Sequence, residues 1–144
     1  MRSRFSSRAR IAASMLIATA AVAALGAMRD NHIVTEMAWS NYRDGLAEAR
    51  LSRKPILITL QAPGEGRSIK MDTETFTDPG VLLLAQEFVC VRADRDTDHD
   101  AARRYRVRDY PTTVIARPDG TPISIYSGFI PSARFIGILK GVSR

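Results

Sequence analysis

Cysteine is almost missing from this chain, which has Cys90 and no other. A single thiol excludes an intramolecular disulfide and any two-thiol redox cycle. Cys90 lies in the apolar run Phe88-Val89-Cys90-Val91-Arg92-Ala93, where a thiol behaves as a small buried hydrophobe. Nothing nearby in sequence supplies the cationic, exposed, helix-terminal setting that would acidify it. Histidine is also scarce: His32 and His99 stand far apart without ligand-spaced companions, so no metal site and no cofactor are expected. No internal repeat is present, and no low-complexity tract beyond the Ala-rich start.

Acidic residues are absent before Asp30, while Arg2, Arg4, Arg8 and Arg10 supply four positives of the +6 net charge. Removing those four from +6 leaves only +2 for the rest of the chain. The high pI therefore gives no argument for nucleic acid, which would need a clustered basic stripe. Arg103, Arg104, Arg106 and Arg108 come nearest to one, and they read as a solvated helix face beside the acidic stretch Asp94 to Asp100. That stretch alternates acids, but a calcium loop starting at Asp94 would need Gly and Glu where His99 and Tyr105 stand. It reads instead as turn and capping chemistry ahead of a helix.

Residues 1–10 form a basic segment, and Ile11 to Met28 follow as an uncharged, Ala-rich stretch. Residues 1–28 together read as a signal peptide or signal-anchor, which implies an exported, periplasmic or extracytoplasmic protein. Two outcomes stay open: cleavage after Gly26, with Ala24 and Gly26 at the small-residue positions, or retention of residues 11–28 as an inner-membrane anchor. The acid-free, Arg- and Ser-rich start also fits an organellar transit peptide, ranked below bacterial-type export. Residues 29–36 read as a linker and 37–144 as one folded domain, since 144 residues allow one real core and not two.

Within that domain the spacing predicts a helix from Ser40 or Asn41 to about Ser52, with Tyr42, Leu46, Ala49 and Ala38 on one face and Gly45 weakening it. Ile56 to Leu60 is a short apolar run, the pattern of a strand covered on both sides. A helix is predicted from Arg67 to Phe76, and a second from Asp78, as cap, through Pro79, burying Val81, Leu82, Leu84 and Ala85. Phe88 to Ala93 is the next buried strand, followed by a short helix over Ala101 to Tyr105. Strands at Thr112 to Arg117 and Pro122 to Tyr126 flank the turn Pro118-Asp119-Gly120. Pro131 to Lys140 closes as an amphipathic helix with Phe135, Ile136 and Leu139 inward. With the two helical pieces before Phe88 taken as one crossover, the predicted order α-β-α-β-α-β-β-α is an α/β sandwich on a small mixed β-sheet.

Four segments carry a family resemblance: Lys54-Pro55-Ile56-Leu57-Ile58, Met71 to Pro79, Phe88 to Asp94, and Tyr105 to Thr112 with Tyr110-Pro111-Thr112 at its end. In this order and spacing they resemble the thioredoxin-like superfamily, most closely its secreted or membrane-attached thioredoxin-related branch. The resemblance covers roughly residues 36 to 142 and implies the thioredoxin fold. The family places a Cys-x-x-Cys motif at the start of the first long helix, where N–H groups and the helix dipole favour a thiolate. Here those positions match Glu65 and Ser68; the aromatic before the first cysteine matches Gly64, and a buried acid on the preceding strand matches Thr59. Neither Glu65 nor Ser68 can form a mixed disulfide, so no catalytic residue is assigned.

Glu65 has two readings: a solvated carboxylate favoured at a helix N-terminus, or a stand-in for the thiolate charge that meets a cationic group of a partner. Ser68 reads as a hydroxyl that satisfies backbone donors, because no base is placed beside it. The resemblance implies a cis peptide bond before Pro111 and a peptide-binding edge formed by Gly64, Glu65, Tyr110, Pro111, Gly128 and Phe129. The alternative for Pro111 is turn geometry alone. The leading functional expectation is a redox-inactive domain binding an extracytoplasmic protein or extended peptide through that face. One alternative is a thiol-disulfide oxidoreductase-related enzyme using the single Cys90. Another is a structural module of a membrane complex in which the leader matters as much as the domain.

Overall fold

The computed structural model describes residues 33–143. The leader read at residues 1–28, and His32, lie outside them. Among the described residues no helix is long and apolar enough to cross a membrane. In chain order the elements are β1 (Trp39–Ser40), α1 (Tyr42–Ser52), β2 (Ile56–Gln61), α2 (Gly66–Lys70) with a π-helical turn (Met71–Thr75), α3 (Pro79–Ala85), β3 (Val89–Asp94), α4 (His99–Arg104), β4 (Thr112–Ala116), β5 (Pro122–Ser127) and α5 (Ser132–Val142). The sheet order is β1-β3-β2-β4-β5. The pairs β1–β3 and β2–β3 are parallel, and β4 runs antiparallel to both β2 and β5.

All six residues of β2 are buried, as are all five of β4, because helices cover both faces of the central strands. Leu57, Cys90 and Ile115 point to one face and pack with Met71 of the π-turn, Phe76 just after it, Val81 of α3 and Phe135 of α5. Ile58, Val91 and Val114 point to the other, with Ala49 of α1, Ala101 of α4 and Tyr105 just after α4. Aromatic edges lock the first face: Phe76 lies 5.0 Å from Trp39 and 5.6 Å from Phe135, both in T-shaped pairs.

Helix boundaries follow their cap chemistry. The Asn41 side chain accepts the Asp44 N–H to start α1, and Asp78 accepts from Gly80 and Val81 to start α3. Pro79 sits at the first position of α3, where its missing N–H costs nothing. Val81, Leu82 and Ala85 are buried there while Leu84 is half-buried. Ala38, placed by its spacing on the buried face of the first helix, precedes α1 and is exposed.

The helix predicted as one piece from Arg67 to Phe76 is not a continuous α-helix. Its second half is π-helical, with the Phe76 N–H donating to the Met71 carbonyl at 2.9 Å. Alongside it the Thr73 hydroxyl donates to the Ile69 carbonyl and the Thr77 hydroxyl to the Thr73 carbonyl, each competing with the backbone donor four residues on. Thr75 reaches across instead and donates to the Ile130 carbonyl at 2.6 Å. β1 went unpredicted because two residues carry no readable period; it forms by pairing Trp39 with Cys90 and Ser40 with Val91.

Gly45, which weakened the helix prediction, is what lets α1 approach β3. A Cβ built on it would stand 2.2 Å from Val91 Cγ2. Val91 is fully buried and β-branched, so it has little freedom to yield. Gly45→Ala is therefore expected to destabilise the domain by about 1–3 kcal/mol through overpacking, net of the gain of up to about 1 kcal/mol from alanine's helix propensity. Urea unfolding checks it: an unchanged or raised midpoint would show that the crossing is not tight.

Candidate functional site

Leu60 pairs with Thr112, and Thr112 with Ser127, so the ends of β2, β4 and β5 form one row across the sheet. The next residues outward are Gln61, Pro111 and Gly128, and three loops leave the sheet together at this edge. The Gly128 N–H donates to the Pro111 carbonyl at 2.7 Å, which closes the row. The Tyr110–Pro111 peptide bond is cis. Among the described residues, neither backbone polar group of Tyr110 is hydrogen-bonded. Gly64 and Gly128 have φ of 76° and 87°, and a Cβ built on either would meet nothing within 4 Å. Their backbones therefore face open space, and only glycine adopts these torsions without strain.

Glu65 is the N-cap of α2. Its Oε2 accepts the Ser68 N–H at 2.9 Å and its Oε1 accepts Arg67 Nε at 2.9 Å. The Arg67 contact, joined by the Ser68 N–H, holds the carboxyl below the usual carboxylate range against the opposing effect of burial. Of the two readings, the helix-terminal carboxylate is what the geometry supports: both oxygens are engaged within the loop itself. Ser68 is buried, and its Oγ accepts the Ala62 N–H at 3.2 Å. This ties α2 to the end of β2, and among the described residues no side-chain base is hydrogen-bonded to the hydroxyl.

At the strand end behind the loop is a polar group that sequence reading missed. Arg92 on β3 makes a two-pronged ion pair with Asp72, at 2.6 and 3.2 Å, and its guanidinium lies 4.7 Å from the Trp39 ring centroid. Gln61 donates to Asp72 Oδ1 and to the hydroxyl of the fully buried Thr59. Arg92 Nε and Thr113 Oγ1 are buried without a partner. An arginine inside an apolar strand is a usable signal, since such a charge demands a carboxylate; which carboxylate was not visible, because Asp72 is twenty residues away. Beside this group a cleft of about 310 Å³ is lined by Gly64, Ser68, Asp72, Arg92, Asp94 and Asp98. It opens where the chain leaves β2 towards α2 on one face and β3 towards α4 on the other, a switch point of the kind where α/β sheets hold ligands.

Two aromatic rings flank the Pro111–Gly128 edge, each beside a cation. Lys70 Nζ is 4.5 Å from the Phe129 ring centroid, and the Arg95 guanidinium is 5.9 Å from that of Tyr110. Neither cation was singled out from sequence. The exposed Ile69 adds an apolar surface next to Lys70. Gly64, Glu65, Tyr110, Pro111, Gly128 and Phe129 thus share one end of the sheet. No group of three or more His, Cys, Asp or Glu able to hold a metal occurs among the described residues.

Cys90 is elsewhere. It lies in the row of Trp39 and Leu57, three residues or about 10 Å down the sheet from Leu60. Its thiol is buried against the Ala85 carbonyl, 3.6 Å away. Burial pushes its pKa up to about 12, Glu48 adding to the rise and Lys54 opposing it.

Comparisons with known proteins agree with this arrangement. No curated protein matches the chain. Among solved structures, a thioredoxin from Thermus thermophilus is similar at 28% identity with a TM-score of 0.67, over 74% of this chain and 87% of that one. A DsbH oxidoreductase is similar at 16% identity with a TM-score of 0.66, over 79% of this chain and 89% of that one. A mutant thioredoxin from Halobacterium salinarum is similar at 18% identity and a TM-score of 0.61, over 77% and 94%; these last two likenesses speak for the fold alone. A family model described as thioredoxin-like matches residues 38–118, more than half the chain, and the protein belongs to the thioredoxin-like family.

Proposed function

We propose that this is a redox-inactive thioredoxin-like domain that binds an extended segment of an extracytoplasmic protein through the Tyr110–Pro111 and Gly128 edge. The observation that carries the reading is a division of roles at one end of the sheet. The two positions that would hold redox thiols are Glu65 and Ser68, and both are engaged in capping and tying the loop. The backbone edge beside them faces open space at Gly64 and Gly128 and has unpaired polar groups at Tyr110. An extended peptide laid along that edge would satisfy those groups by β-augmentation. The export reading rests on the basic, then Ala-rich, start of the sequence.

The alternative that uses Cys90 as a reactive thiol is disfavoured by its burial and its raised pKa. The binding reading is tested by titrating the ¹⁵N-labelled full chain with an uncharged extended peptide of alternating Val and Gln. Amide shifts are expected at Gly64, Glu65, Tyr110, Gly128 and Phe129. Saturable shifts confined to other surfaces, or no shifts at millimolar peptide, would overturn it.

A further inference from the structure

We infer that Thr75 and Met71 position the far wall of the binding edge by gripping the backbone of Ile130, so that changing either buried residue alters peptide binding without touching the peptide. The inference rests on the binding reading above and adds to it the part of the chain that sets the Gly128–Phe129 wall. β5 ends at Ser127 and α5 begins at Ser132, so Ile130 belongs to neither element. It is buried, and among the described residues no backbone hydrogen bond takes up its N–H or its carbonyl. Buried backbone groups still need partners.

Both partners come from the π-turn on the other side of the connection. Met71 Sδ accepts the Ile130 N–H at 3.3 Å, and the Thr75 hydroxyl donates to the Ile130 carbonyl at 2.6 Å. Met71 and Thr75 are themselves fully buried, which shelters the grip from water. Phe129 lies between this grip and the hydrogen bond from the Gly128 N–H to the Pro111 carbonyl, at 2.7 Å. Two residues of chain span at most about 7 Å, so holding Ile130 leaves Phe129 and Gly128 little room to move. Lys70, one residue before Met71, adds a third contact with its ammonium 4.5 Å from the Phe129 ring centroid. The helical segment that begins at the Glu65 loop thus also sets the opposite wall. Without the Thr75 hydroxyl the Ile130 carbonyl finds a new partner only by turning towards water, and that turn carries Phe129 with it. An edge whose competent arrangement is only partly populated binds correspondingly more weakly.

The test titrates the ¹⁵N-labelled full chain with the alternating Val and Gln peptide and measures amide hydrogen exchange on the same samples. Thr75→Val keeps the shape of the side chain and removes its donor, Thr75→Ser keeps the donor, and Gly45→Ala destabilises the opposite face of the sheet as a control. The peptide Kd is expected to rise roughly three- to tenfold in Thr75→Val and to stay within about twofold of the parent in Thr75→Ser and Gly45→Ala. The Ile130 amide should exchange about tenfold faster in Thr75→Val. Met71→Leu, a volume-conserving swap, serves if Thr75→Val does not fold, and should speed Ile130 exchange and weaken binding by about threefold. Affinity unchanged in both Thr75→Val and Met71→Leu overturns the inference and leaves the binding face standing. A loss in Gly45→Ala equal to that in Thr75→Val also overturns it, since binding would then follow overall stability. Absence of peptide-induced shifts in the parent overturns both readings.

Discussion

In the native protein Cys90 should react with a thiol reagent about a thousandfold more slowly than in the unfolded chain at the same pH. Burial both suppresses ionisation of the thiol and excludes the reagent, and together these set the rate, with the greater nucleophilicity of a higher-pKa thiolate offsetting part of the loss. The thiolate is the reacting species, and burial raises the Cys90 pKa from 9.0 to about 12. A rise of that size lowers the thiolate fraction roughly a thousandfold at any pH below about 9, before steric exclusion by the core adds more. The neutral thiol is thus favoured in the folded state. Its contribution to stability is fully present below the unfolded pKa near 9 and is lost as pH rises through the folded value near 12. Labelling with iodoacetamide near pH 8, with and without denaturant, measures the ratio. Native labelling within about tenfold of the denatured rate would sink both the burial argument and the case against a one-thiol enzyme.

The second large effect is a gain. Glu65→Cys combined with Ser68→Cys should give a chain with clear dithiothreitol-dependent insulin-disulfide reduction, at least tenfold above the parent. Residue 65 already folds its side chain back over residue 68, with Glu65 Oε2 2.9 Å from the Ser68 N–H. Positions three apart at a helix start fall within the Cα separation of about 4.4–6.8 Å that a disulfide requires. The α2 N–H groups that now serve the Glu65 carboxylate would instead favour a thiolate introduced at that position. Glu65→Cys alone, lacking a resolving thiol, should stop at a mixed disulfide. Thr59, fully buried where the resemblance implies an acid, gives a reason for turnover to stay below that of an ordinary thioredoxin. A well-folded double variant that forms its disulfide and still shows only background reduction would mean that more than the thiols has been lost.

Much of the framework was readable because its signals are local. The caps at Asn41 and Asp78, the Pro79 start of α3 and the Pro118-Asp119-Gly120 turn each act within four residues. The apolar runs of β2 and β3 announce strands covered on both faces. The π-turn at Met71–Thr75 was not readable, because local spacing does not show which carbonyls the Thr73 and Thr77 hydroxyls meet or that Thr75 reaches Ile130. The tight crossing at Gly45 was not readable either. A glycine in a helix lowers propensity wherever it stands, and only the approach of Val91 turns that cost into a requirement.

By itself the sequence determined that this chain carries no Cys-x-x-Cys pair and can form no disulfide within itself, since Cys90 is its single cysteine. It also determined the α/β order and identified the loop residues Gly64, Glu65, Ser68, Tyr110, Pro111 and Gly128. At Glu65 the contacts are local: Arg67 and the Ser68 N–H, two and three residues on, each meet one carboxylate oxygen. The tertiary structure alone decided what stands beside the charges farther along the chain. Lys70 looks like any surface lysine until Phe129, fifty-nine residues on, is brought beneath it. Charge is a property of a residue, but whether that charge is compensated depends on distances of a few ångströms, and the chain sets those only when it folds.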